Sequence, residues 1–218
     1  MKNLKTIELG IAGNGKIYRN LSVPALVEQA LLRGEGRLSD TGALAVNTGK
    51  YTGRSPDDKF IVDTASVHDE IAWGKINVPI SEERFAALKA KVVAYLQNKD
   101  LFVFDGFAGA DAKYRQNFRI VNELASQNLF IRDLLIRPTE AELDAYVPDY
   151  TVIAAPGFKC IPAVDGVHSE AAIMINYESH EVLIVGSGYS GEIKKSVFSV
   201  MNYVLPKRGI LSMHCSAN

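Results

Sequence analysis

Two lysines, Lys194 and Lys195, open the helix-forming run GYSGEIKKSVFSVMNYVLP, close behind Gly186, Gly188 and Gly191. The unpaired N–H groups of a helix's first turn already create positive potential, which disfavours each added cation there by roughly 0.3 to 1 kcal/mol. Such a pair has two readings. Both ammonium groups can reach solvent along their methylene stems, the ordinary outcome for surface lysines. Alternatively, the glycines let backbone amides approach an anion that the lysines also face. In that second case a like-charged neighbour and the helix terminus both lower a lysine pKa, leaving one neutral amine as a base or metal ligand.

A second stretch, NTGKYTGRSPDD from Asn47, resembles a phosphate-binding loop only at first sight. That loop needs two glycines five positions apart followed by Lys and then Ser or Thr. Here Gly49 and Gly53 are four apart and Arg54 stands in the lysine's place. The glycines and Pro56 predict a turn between two strands, with Arg54 projecting beside the Thr52 and Ser55 hydroxyls. A guanidinium fork suits a carboxylate; the plain alternative is a surface arginine on a connection. The terminal run GILSMHCSAN reads as a strand from Gly209, with Leu211, Met213 and Cys215 on one face and Ser212, His214 and Ser216 on the other. No second histidine or cysteine at metal-ligand spacing accompanies His214, and His68, His168 and His180 fall in predicted loops or turns. Cys215 reads as core, and Asp57, Asp58, Asp105 and Asp111 as turn and cap residues.

The elements that must position these groups follow from periodicity. SEERFAALKAKVVAYLQNKD places Phe85, Leu88, Val92 and Leu96 at helical steps behind a Ser81 N-cap. Thr139 and Glu142 have capping-box spacing. In the Gly191 helix, Ile193, Val197, Met201 and Val204 share one face, and Pro206 is expected just beyond its end. Strands are predicted for ALAVN from Ala43, KFIVD from Lys59, LFVFDGF from Leu101, DYTVIAAP from Asp149, EAAIMINY from Glu170 and EVLIVG from Glu181, the last two as a hairpin. Strands outnumber firm helices without strict alternation. The expected fold is therefore α/β (α+β), a mixed β-sheet flanked by helices, in one domain over 1–218.

Composition limits the partners. The 218 residues carry 24 Lys+Arg against 25 Asp+Glu, a formal net charge of -1, so no basic excess favours nucleic acid or an anionic membrane surface. No apolar run has the length of a membrane span and the first residues do not form a signal peptide, which predicts a cytoplasmic protein. Two cysteines, Cys160 and Cys215, are too few for a disulfide framework.

Taken together, TGRSPDDKFIVD, LLIRP, GYSGEIKKSVFSVMNYVLP and GILSMHCSAN closely resemble the N-terminal part of ATP-dependent phosphoenolpyruvate carboxykinases, from about Leu38 to Asn218. The resemblance implies the fold of that N-terminal domain. It also implies conversion of oxaloacetate and ATP to phosphoenolpyruvate, CO2 and ADP, in gluconeogenesis, with Mn2+ in the site and Mg2+ on the nucleotide. By resemblance Arg54 holds the substrate carboxylate and Tyr189 lies against phosphoenolpyruvate or CO2. Lys194 approaches the transferring phosphoryl oxygens, Lys195 coordinates Mn2+ as a neutral amine, and His214 is an imidazole ligand of the same ion. Lys195 and His214 also border the nucleotide. Such proteins continue into a true phosphate loop and a further aspartate ligand, neither of which occurs before Asn218. The expectation is an N-terminal substrate domain without its C-terminal nucleotide domain, inactive alone and a weak Mn2+ binder. The competing reading is a non-enzymatic module that captures a dicarboxylate or phosphate-bearing anion.

Overall fold

The computed structural model describes residues 10, 11 and 13–214. Its central feature is an eight-stranded mixed sheet formed by β1 (Ile17–Arg19), β4 (Lys59–Asp63), β5 (Val78–Ser81), β6 (Leu101–Ala108), β7 (Gln116–Asn122), β8 (Tyr150–Ala155), β9 (Ala172–Asn176) and β10 (Glu181–Val185). Their spatial order is β1-β6-β7-β8-β10-β9-β4-β5. The β6–β7 and β9–β10 pairs are antiparallel and the other neighbours in the sheet are parallel. A separate two-stranded ribbon pairs β2 (Gly36–Leu38) with β3 (Leu44–Val46), so the ALAVN strand forms but outside the main sheet.

Both faces of the sheet are covered. On one, Ile61, Ile120, Val152, Ile173 and Ile184 pack with Ile193, Val197, Val200 and Met201 of α6 (Gly191–Lys207). On the other, Phe60, Val62, Val121, Ile153 and Leu183 pack with Phe85, Leu88, Val92 and Leu96 of α2 (Glu82–Leu96). Adjacent residues of one strand, such as Phe60 and Ile61, thus enter different cores. This is why these strands read as unbroken apolar runs. The remaining helices are α1 (Val23–Leu32), α3 (Ala125–Leu134), α4 (Glu140–Asp144) and α5 (Pro162–Asp165).

Local signals work as expected at three places. The Ser81 hydroxyl accepts from the Arg84 N–H at the start of α2, Thr139 and Glu142 form a reciprocal capping box at α4, and β9 and β10 make the hairpin. Three expectations are corrected. Pro206 lies inside the last turn of α6 and not beyond it; having no N–H, it cannot donate to the Asn202 carbonyl, and the helix stops one residue later at Lys207. Asp105 is no turn residue: it lies on β6, fully buried, opposite Arg119 of β7. Arg119 Nε donates to Asp105 Oδ1 at 2.8 Å, and Arg19 from β1 donates Nε to Oδ2 at 2.8 Å. The third is the terminal strand. Ile210 to His214 form no regular structure and pair with no strand among the described residues, while Leu211 and Met213 are exposed. The Ile210 N–H bonds back to the Leu205 carbonyl at 3.0 Å, closing off the end of α6, and no neighbouring strand offers the rest of the run a ladder. The parts of that prediction on Cys215 and Ser216 lie outside the described residues.

Candidate functional site

The connection from β3 to β4 carries Arg54. Asn47 Oδ1 accepts from the Gly49 N–H at 2.9 Å, and Gly49 has φ 72°, so the segment turns back sharply at its start. It ends in a single 3-10 turn, Pro56–Asp58, with the Ser55 hydroxyl bonded to the buried Asp58 carboxylate. The loop is then fixed to α6: Ser55 N–H donates to Glu192 Oε1 at 2.6 Å. A Cβ on Gly188 would stand 2.8 Å from the Thr48 carbonyl oxygen, so glycine at this point allows the two backbones to meet.

These contacts enclose a cavity of about 290 Å³ between the loop, the sheet and α6. Arg54, Lys59 and Lys195 line it, together with Glu192, Ser196 and Phe198. One helical stripe supplies much of the wall, since Glu192, Lys195, Ser196, Ser199 and Asn202 recur at three- and four-residue steps. Arg54 and Lys195 have no hydrogen bond or ion pair with any described residue, although the Lys195 Nζ lies 5.2 Å from the centre of the Phe198 ring. His214 approaches that same ring edge-on, with 5.4 Å between centroids. Phe198 thus brings the expected metal-ligand pair to one neighbourhood.

Tyr189 and Lys194 are placed differently. Neither lines the cavity. The Tyr189 ring folds over the start of α6, where a Cβ on Gly191 would be 2.3 Å from it, and Lys194 is exposed on the helix's outer side. The glycine approach is therefore used partly to seat an aromatic ring.

Three lining residues escaped sequence reasoning. Glu192 is buried, and desolvation raises its carboxyl above the usual 4.5 against the opposing pull of the Ser55 N–H and the Arg54 and Lys59 charges. Desolvation likewise lowers the Lys59 ammonium, with the Glu192 charge opposing and that of Arg54 assisting. Ser196 is 2% exposed and its hydroxyl has no partner. The available signal was the helical stripe itself, which sets Glu192 and Ser196 on one face; Lys59 could have been found as the single charge at the head of an apolar strand. Among the described residues no group of three or more His, Cys, Asp and Glu side chains could hold a metal ion. Nor, among the described residues, is any helix long and apolar enough to cross a membrane.

A mixed sheet covered on both faces, with Arg54, Lys59 and Lys195 brought from a connection, a strand and a helix to line one cavity, defines an α/β domain. The family model described as phosphoenolpyruvate carboxykinase matches residues 15–218. The chain belongs to the phosphoenolpyruvate carboxykinase family. It is 58% identical over 210 residues to phosphoenolpyruvate carboxykinase (ATP) 2 of Moorella thermoacetica, covering 96% of this chain and 40% of that protein. Phosphoenolpyruvate carboxykinase (ATP) of Brevibacillus brevis is 60% identical over 95% of this chain and 40% of its own length. That of Caldanaerobacter subterraneus is 55% identical over 100% of this chain and 41% of its own length. The chain thus spans about two-fifths of the length of these curated relatives.

Proposed function

We propose that this chain is the substrate-binding portion of an ATP-dependent phosphoenolpyruvate carboxykinase, with Arg54 holding the carboxylate of oxaloacetate or phosphoenolpyruvate. The observation that carries the reading is that Arg54 and Lys195, distant in sequence, line one cavity and that neither makes a hydrogen bond or ion pair among the described residues. Arg54 supplies a planar, permanently charged fork for a carboxylate, and Glu192 fixes the loop that presents it. Removing CO2 from oxaloacetate leaves negative charge on the ketone oxygen, and cations set beforehand around the cavity stabilise it without reorganising. Phosphoryl transfer to that oxygen then depends on alignment and charge neutralisation; by the family resemblance Lys194 would approach the phosphoryl oxygens and Tyr189 the flank of substrate or CO2, both from outside the cavity that Arg54 and Lys195 line. Lys195 and His214, on either side of Phe198, are the nitrogen donors that would hold Mn2+. When bound, the ion adds positive charge where the oxygen becomes anionic. The nucleotide, with its Mg2+, would meet Lys195 and His214 and be held mainly by residues beyond those present here. The purified chain alone is expected to form no phosphoenolpyruvate.

Isothermal titration with oxalate, a compact mimic of the enolate, tests the reading with and without Mn2+. Wild type should bind and Arg54→Ala should lose most of the affinity, by about tenfold or more for a charge-assisted pair. Equal binding by both proteins would remove Arg54 from the site.

A further inference from the structure

A second cavity, of about 380 Å³, lies at the other end of α6, beyond Asn202 where the lining of the first one stops. Aromatic rings wall it. His180 stacks on Tyr150 with 4.5 Å between centroids, Tyr150 in turn on Phe118 at 5.9 Å, and Tyr177 stacks on Tyr203 at 3.9 Å. His180 is the exposed free end of its column, at a hairpin position whose φ of 58° ordinarily selects Gly or Asn. The polar groups around these rings are unevenly used. Tyr203 bonds to Glu70 and Tyr177 reaches the Ser199 carbonyl at 3.5 Å. The Tyr150 hydroxyl, by contrast, makes no hydrogen bond among the described residues, although Tyr150 is only 3% exposed and buried tyrosine hydroxyls normally find a partner. Gln116 is buried as well; its Nε2 donates to the Arg115 carbonyl at 3.1 Å, and its side-chain oxygen accepts from no described residue. Formal charge is balanced: Lys207 and Arg208 stand against Glu178 on the lining and against Glu70, which pairs with Lys207 at 2.5 Å.

We propose that this cavity binds an uncharged, planar, bicyclic heteroaromatic molecule, which stacks on His180, accepts from the Tyr150 hydroxyl and donates to the Gln116 side-chain oxygen. Balanced charge offers no gain to an ion that must shed its water to enter. Stacking faces favour a flat ring, and an unused donor together with an unused acceptor rewards a ring edge that carries both complements. The volume, roughly that of a dozen waters, is at the small end of ordinary ligand sites. The two cavities share α6 but no lining residue, so this site does not depend on the carboxylate reading of Arg54.

Indole and 7-azaindole match in size and planarity, and only 7-azaindole adds a ring nitrogen that accepts a hydrogen bond beside the N–H. NMR-detected titration of the full chain with each therefore tests the assignment. Wild type should bind 7-azaindole about fivefold more tightly than indole, the worth of one net hydrogen bond. The shifted amides should centre on Val67, His180 and Val204. Tyr150→Phe should erase the preference and leave indole affinity unchanged. It should also melt no lower than wild type, since the hydroxyl it deletes has no partner, and this separates lost recognition from lost folding. His180→Asn, which keeps a residue suited to positive φ, should weaken both compounds about fivefold through the lost ring face. A preference that survives Tyr150→Phe overturns the proposal, as does His180→Asn binding both compounds like wild type. Shifts centred on Arg54 and Lys195, or binding of neither compound by wild type, overturn it equally.

Discussion

Asp105 and Cys160 show how burial sets the chemistry of single side chains. The Asp105 carboxylate is completely enclosed, and Arg19 and Arg119 both donate to it. Asp105→Asn leaves two guanidinium groups short of their counter-charge, one of them buried, and should cost about 3 to 5 kcal/mol in urea denaturation. Burial pushes the Cys160 thiol up to about 12, so at pH 8 it stays protonated. In the native protein it should resist iodoacetamide and become labelled only after unfolding, as read by peptide mass spectrometry. Glu192 has the pH signature of a carboxyl raised by burial. The folded state holds its proton more tightly than the unfolded chain, so stability falls as pH rises from 4.5 through the folded value. Glu192→Gln should remove that slope, giving a difference in urea midpoint that moves in the variant's favour between pH 4.5 and neutrality. At this scale sequence reasoning singled out Arg54 and Lys195 from residue type and setting, and both line the cavity, whereas Tyr189 and Lys194 do not. It missed Glu192, Lys59 and Ser196 because their importance comes from being enclosed together, and enclosure joins residues that are far apart in the chain.

The capping box at α4 and the glycine approach to α6 are devices of whole elements. Thr139→Ala removes the acceptor for the Glu142 N–H and should cost about 1 kcal/mol of unfolding free energy. Gly188→Ala has a different consequence, because its Cβ would meet the Thr48 carbonyl at 2.8 Å and push the Arg54 connection away from the start of α6. That variant should keep its circular dichroism spectrum and lose oxalate affinity. Helices α2 and α6 and the β9–β10 hairpin were legible because each obeys one period and carries its own punctuation. Strand β7 was not: Arg119 in the middle of QNFRIVN imitates a surface loop, whereas Asp105 on the neighbouring strand supplies the counter-charge that a buried arginine needs there. The terminal run misled in the opposite direction. Alternation in LSMHC satisfies the pattern of a strand, but pattern alone supplies no neighbour to complete the ladder.

Across the molecule, stability should be graded from the middle of the main sheet outward. Strands β7, β8 and β10 have bonded neighbours on both sides and apolar cover on both faces, whereas the β2–β3 ribbon stands apart and is largely exposed. Amide hydrogen exchange should therefore be slowest in the former and fast in the latter. The strand order carries a further consequence, for folding order. Residues from β6 to β10 can assemble largely among themselves through two hairpins and parallel pairing with β8. In contrast, β1 must find β6, where Ile17 pairs with Leu101, and β4 must find β9, where Lys59 pairs with Ile173. During synthesis the Arg54 connection emerges early but has nothing to dock against until β9 and α6 have followed it out. Because closing such long loops is slow, the anion cavity should be among the last features to form as the newborn chain folds, after the sheet that supports it.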